Sequence, residues 1–408
     1  MKRTIALLLI LTMLLCGCGS KEAAVNITDA PALSGAVTNN SGTEAPTEPT
    51  TEPTTVPTTE PEVYFNPLNG EILDAPFDGR IYASTISNIR DALPHVSVTK
   101  ADVLVESFVN GSVVRCLAMF TDLSDVEAIG STRSTRLMFN DIVSHYNAIL
   151  THAGGSGQCI RDANARGLTH YNVDSLMRQA DPLGQALAYR DKMYRRLYEH
   201  NLFVVGPAVM AYAESQGVQI SGMPETDYGM TFVEDGTPVN GEAADSVTIT
   251  ITYNKSKKDT TMLYDESIGK YTFNQYGKLM QDQITSEVEA FENVVVMCGN
   301  VTTNGIYQVC DFVSGGTGYY ACGGYIIPIT WTCESEESPF RFFTEDGQPL
   351  SFGQGNTYIA ITQTGSSVVW EDLEPAPTEP PVVETTPETA PETSDATTAE
   401  TTAETTAG

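Results

Sequence analysis

Apolar and polar positions alternate over Arg80–Asn88, the two-residue period of a half-buried strand. Asp102–Phe108 and Val113–Phe120 are apolar runs joined around Asn110-Gly111. That dipeptide predicts a tight hairpin, because both residues tolerate the positive φ such a turn requires. From Ser134 to Asn147 the period becomes helical, with Leu137, Phe139, Ile142, Val143 and Tyr146 on one face. Ala148–His152 reads as a short strand broken by Gly154-Gly155. Asp181-Pro182 has the form of an N-cap with proline at the first helical position, predicting a helix to about His200. Pro207–Gln216 predicts another helix, stopped by Gly217. Beyond Val233 the texture turns to strands: Val247–Tyr253, Val294–Met297, Tyr307–Val313, Tyr319–Ile329 and Tyr358–Thr362. One short polar helix is expected near Met280–Phe291. The expected fold is a mixed α/β N-terminal domain (63–232), a Gly/Pro-containing linker (233–245) and a mainly β C-terminal domain (246–370).

Both ends lack core material. Residues 18–62 and 371–408 are rich in Thr, Pro, Glu and Ala and are expected to form a disordered spacer and a disordered acidic tail. The first 17 residues differ. Met1-Lys2-Arg3 precedes an apolar run from Ile5 to Leu15, the layout of a secretory signal. The run falls short of the roughly 20 residues a membrane-spanning helix needs. Leu15-Cys16-Gly17-Cys18 resembles a bacterial lipobox, which predicts that Cys18 receives diacylglycerol and holds the protein on the extracytoplasmic face of the membrane. Ordinary secretion is the alternative.

The 408 residues carry 22 Lys+Arg against 52 Asp+Glu, a net charge of −30. So acidic a chain is a poor partner for nucleic acid, whose phosphates are held by clustered cations. Against that background Arg133 and Arg136, three apart at the start of a predicted helix, stand out. Two guanidiniums at the positive end of a helix are unfavourable unless an anion lies against them. A bound phosphate or carboxylate would serve, with Ser131, Ser134 and Thr135 as further donors. An internal carboxylate (Asp102, Glu106 or Asp141) would serve equally. His152, Gly154, Gly155 and Ser156 follow a strand, where glycines permit close approach to a ligand, although Gly-Gly also marks plain turns. Asp102 and Glu106, four apart on a predicted strand, are placed to pair with Arg115 or to face a cleft. His200 and Asn201 end a predicted helix, where a cation favours the dipole. No zinc or phosphate-loop motif occurs, so no metal and no cofactor are expected. Of the six cysteines beyond the lipobox, Cys310 and Cys322 flank a glycine-rich hairpin and are the first-choice disulfide in an exported protein.

Asn66-Pro67-Leu68-Asn69-Gly70, Ala101–Glu106, Ile129–Arg136, His152–Ser156, Tyr189-Arg190-Asp191 with His200-Asn201, Glu292–Val296 and Phe343–Ile361 together resemble the YerB-like bacterial lipoprotein family. The resemblance implies N-terminal and C-terminal domains of unknown function, and it draws Arg190 into the set of supporting residues. A weaker likeness is to the LytR–CpsA–Psr phosphotransferases. These features lead to the expectation of a lipid-anchored envelope protein that binds an anionic cell-wall glycan, a lipid carrier or a protein partner. A transferase or hydrolase with an arginine-lined phosphate site and a non-catalytic scaffold are the alternatives.

Overall fold

The structure is a computed structural model that describes residues 63–178, 182, 184–191 and 197–373. The signal segment, Cys18, the spacer, Asp181 and the tail from residue 374 lie outside the described residues.

The predicted hairpin forms. β1 (Tyr82–Ser87), β2 (Val103–Asn110) and β3 (Val113–Phe120) pair antiparallel in the order β2-β3-β1. Chain then passes through α1 (Leu137–His145) to β4 (Ile149–His152), parallel to β1, and through α2 (Gly157–Ala165) to β5 (His170–Asn172), parallel to β4. A single turn, α3 (Val173–Leu176), and α4 (Gly206–Ser215), with Pro207 at its start, complete the helices.

The second half supplies β6 (Ser246–Tyr253), β7 (Ser256–Asp265) and β8 (Lys270–Gln275), an antiparallel set in which buried and half-buried residues alternate along β6 from Val247 onward. It also supplies β9 (Asn293–Asn304), β10 (Tyr307–Asp311), β11 (Gly316–Cys322), β12 (Tyr325–Thr332) and β13 (Thr357–Gln363). β13 lies parallel to β9 on one side and to β2 on the other, so strands from both halves of the sequence build one large sheet. Its residues Tyr358, Ile359, Ala360 and Ile361 are buried, the continuous apolar run expected of a strand covered on both faces. β10 takes up the same position farther along, pairing with β9 and touching β2 at Asn110.

The fold is thus mainly β, and the expected α/β character of the N-terminal half is corrected. The helix expected up to His200 is replaced by Ala188–Arg190, a strand paired with Leu202–Val204, and a 3-10 turn at Tyr198–His200. The polar helix near Met280–Phe291 is absent. There Asp282 turns the chain by accepting from the N–H groups of Ile284 and Thr285, and Ala290–Phe291 joins β8 as a strand. Residues 233–245 are tied down on both sides. Thr231–Val233 pairs with Ser351–Gly353, Gly236 packs on Gly353, and Glu242–Ala243 pairs with β12.

All six described cysteines are buried and free. The expected Cys310–Cys322 disulfide is therefore not formed. Cys310 sits opposite Val301 of β9 and Cys322 lies beside the strand's other end, where Val294 faces Ala321. Seven residues of strand separate those positions, about 23 Å, and a disulfide needs its Cα atoms within about 7 Å.

Candidate anion-binding site

The stretch 131–136 crosses the end of the sheet as extended chain rather than as helix. Ser87 N–H donates to the Ser131 carbonyl and Arg133 N–H to that of Thr85. α1 begins only at Leu137, with Arg136 at its N-cap and extended. Arg133 and Arg136 therefore do not share a helix face, which corrects the expected geometry.

The expected meeting of this segment with 152–156 is realised through backbone. Ala153 N–H donates to the Arg133 carbonyl at 2.9 Å and Thr135 N–H to that of Gly154 at 3.1 Å. Ser134 Oγ donates to the Ala153 carbonyl at 2.8 Å. Gly154 has φ +75°, a conformation that glycine adopts without strain. Ser156 is the N-cap of α2, its Oγ accepting from Cys159 N–H at 3.1 Å. His152 is fully buried and bridges neighbours. Nδ1 lies 2.7 Å from the Gly154 carbonyl and Nε2 3.0 Å from His170 Nδ1. Burial, opposed by that carbonyl, pulls its pKa down to about 4.

The arginines are unevenly partnered. Arg133 donates to the Glu199 carbonyl at 2.6 Å and lies 3.8 Å from its carboxylate. Arg190 is held by Asp174 at 2.7 Å and by Asn201 at 3.0 Å, with its guanidinium 3.8 Å from the Tyr198 ring centroid. His200 is buried in the 3-10 turn, 3.6 Å from the Glu199 carboxylate, and so does not cap an α-helix. Arg136 donates to Asn110 Oδ1 at 3.2 Å and to the Thr135 carbonyl at 2.7 Å, and stacks over Tyr307. Arg115, only 4 % exposed, donates to the Ser134 carbonyl at 2.5 Å, and its Nε has no partner. Burial, reinforced by Arg136 and Arg133, lowers the Arg115 pKa well below its usual value.

Asp102 and Glu106 do not pair with Arg115, a further correction. Asp102 accepts from Asn69 at 2.6 Å and from Thr121 N–H and hydroxyl at 2.6 and 2.9 Å. Burial raises its pKa to about 6. Glu106, fully buried, takes Lys258 Nζ at 2.5 Å, Tyr358 at 2.5 Å, Thr260 at 3.1 Å and Asn88 at 2.5 Å. Lys258 escaped the sequence reading because its partner comes from the other half of the chain. Asp141 is likewise taken, by Arg166 at 2.7 Å. Among the described residues, Arg115 and Arg136 have no carboxylate within ion-pair distance.

Two family descriptions match this chain in tandem. Residues 69–219 match the N-terminal domain, and residues 249–359 the C-terminal domain, of "Protein of unknown function (DUF3048)". The chain belongs to the DUF3048 family. A DUF3048 relative, "Putative lipoprotein YerB" of Bacillus subtilis (strain 168), is 24 % identical over 287 residues, covering 69 % of this chain and 81 % of that protein. The crystal structure of YerB protein from Bacillus subtilis superposes with a TM-score of 0.63 at 21 % identity, covering 75 % of this chain and 99 % of that one. The YerB-like resemblance read from the residues holds, and the structural likeness extends it to the fold. The arginine cluster and the His152–Ser156 loop both fall within the DUF3048 N-terminal domain.

Proposed function

We propose that this chain is a lipid-anchored envelope protein on the extracytoplasmic side of a bacterial membrane, binding an anionic group at Arg115 and Arg136. The anion would belong to an envelope glycan, its lipid carrier or a partner protein. The observation that carries this reading is the buried Arg115 guanidinium with an unpartnered Nε, beside a second arginine and with no carboxylate within ion-pair distance among the described residues, in a chain of net charge −30. An uncompensated buried charge is costly, and a ligand anion offsets that cost. A scaffold role would instead be served by arginines paired internally. A transferase or hydrolase needs a base free to take a proton at the arginines, and His152 has both ring nitrogens engaged.

The test is titration calorimetry with inorganic phosphate and pyrophosphate, run with thermal unfolding on the same proteins. Arg136→Gln is expected to weaken anion binding on the order of tenfold or more, the value of a charge-assisted hydrogen bond. Arg115→Met is expected to remove binding while leaving the anion-free protein as stable as the parent or more so. A parent that binds neither anion, with both variants less stable, would decide for an internal structural role. The anchor has its own test: Cys18→Ala abolishes acyl-lipid labelling and Cys16→Ala preserves it. Normal labelling of the Cys18 variant would refute the anchor.

A further inference from the structure

A groove of about 400 Å³ lies at the end of β8, against the segment Arg90–Pro94. After β8 the chain turns at Tyr276-Gly277 and returns as Lys278-Leu279, paired with Asn274 and Gln275. Leu93, Pro94, Leu279 and Met280 give the groove an apolar lining, and Leu279 is 45 % exposed. Tyr276 lies beside them, with the Arg90 guanidinium 5.2 Å from its ring centroid. An open apolar and aromatic hollow with a charged rim has the form of a docking surface.

The rim is cationic, in a chain of net charge −30. Arg90 and Lys278 both line the groove and both are exposed. Neither has a carboxylate within ion-pair distance among the described residues. Among the described residues, Asp282 is the only carboxylate in the lining, and it is spent internally. It is 2 % exposed and accepts from the N–H groups of Ser97, Ile284 and Thr285. The occupant is therefore apolar, suited to an aromatic ring, and acidic.

The chain carries such a segment just past the described fold. Residues 374–408 hold no Lys or Arg, and Val382 and Val383 are their only large apolar side chains. Those valines follow Pro380-Pro381, and Glu379 and Glu384 bracket the four residues. Prolines in a polyproline helix dock on aromatic-lined grooves, at little entropic cost because the helix is already stiff.

The reach is sufficient. Strand Val368–Glu371 pairs with β6, placing Glu371 opposite Ser246, which faces Leu263 of β7, which faces Thr272 of β8. Three strand spacings across the sheet and four residues along β8 put Tyr276 about 20 Å from Glu371. Pro380 is nine residues beyond Glu371, about 28 Å of polyproline helix. So short a tether gives an effective concentration of about millimolar, enough to fill a groove of modest affinity. A larger hollow of about 770 Å³ beside Val233–Asn240 is lined by Asp235, Glu345 and Asp346, which would repel the same segment.

We infer that the groove between Arg90–Pro94 and Tyr276–Met280 is the docking site of the chain's own segment Glu379–Glu384. The prolines and valines cover the apolar lining, and the two glutamates meet Arg90 and Lys278.

Met280 reports on the groove from inside it, and Met297, buried in β9, serves as the control. The test is methyl NMR of the full chain labelled at methionine. Val382→Ser with Val383→Ser, outside the described fold, is expected to move the Met280 resonance and leave that of Met297 in place. A synthetic peptide of residues 375–388, added to this serine variant, is expected to restore the parent position. The same variant carrying Arg90→Gln and Lys278→Gln is expected to need on the order of tenfold more peptide, the value of a charge-assisted hydrogen bond. An unmoved Met280 resonance in the serine variant would overturn the inference. Equal peptide affinity with and without the two cations would overturn the placement of the glutamates. A difference between parent and serine variant that vanishes on dilution would assign the groove to the tail of a second copy and overturn docking within one chain.

Discussion

His152 makes the stability of the fold sensitive to acid. In the unfolded chain it takes a proton near 6.5, and in the fold near 4, because burial disfavours the charged ring. Between those values the unfolded state binds more protons. The His152 contribution is complete above pH 6.5 and is lost as pH falls towards 4, by up to about 1.4 kcal/mol per unit. Asp102 and Asp141, with pKa values raised to about 6 and about 7, act in the opposite sense, losing stability as pH rises from about 4 through those values. His152→Gln isolates the histidine term. Its stability, measured by urea unfolding, is expected to fall less steeply than the parent's from pH 6.5 to 4.5, and parallel curves would contradict the assignment. Lys258 is the other residue on which much depends. Lys258→Met leaves the Glu106 carboxylate buried with only neutral donors, a loss expected to reach about 3–5 kcal/mol. Adding Glu106→Gln should recover part of it, because the stranded charge goes; an additive double variant would show that the pair is not coupled.

At the scale of elements, the polypeptide approaches itself most closely where glycine permits. A Cβ on Gly236 would stand 2.0 Å from Gly353 N, beside the pairing of Thr231–Val233 with Ser351–Gly353. Gly236→Ala is expected to cost roughly 1–3 kcal/mol by forcing those strands apart. An unchanged denaturation midpoint would mean the segment yields freely. The hairpin of β2 and β3, helix α1 and helix α4 were all legible, because each follows from local period and turn chemistry. The 188–190 strand and the turn at Asp282 were not. Polar stretches with weak periodicity take their conformation from the neighbours they pair with, here Leu202–Val204 and β8.

At the scale of the whole molecule, β13 is the decisive strand. It comes from the C-terminal end of the described fold and runs parallel between β9 and β2, so neither half completes its sheet alone. Residues 63–373 are expected to unfold in a single transition by calorimetry and circular dichroism. A chain ending at residue 232 would leave β2 unpaired along the edge that β13 covers, and is expected to aggregate or remain unfolded. A well-dispersed amide spectrum from that fragment would contradict this.

Sequence alone determined the strand-rich second half, the lipoprotein-like start, the excess of acid and the two segments around Arg133 and His152, since each is written in composition or short-range spacing. Tertiary structure decided which charges meet. Arg115 and Arg136 come from a strand and a helix cap, while the carboxylates expected to neutralise them, Asp102, Glu106 and Asp141, are taken by Asn69, Lys258 and Arg166. A charge finds its partner through the packing of elements distant in the chain, and that information is absent from the spacing of residues along it.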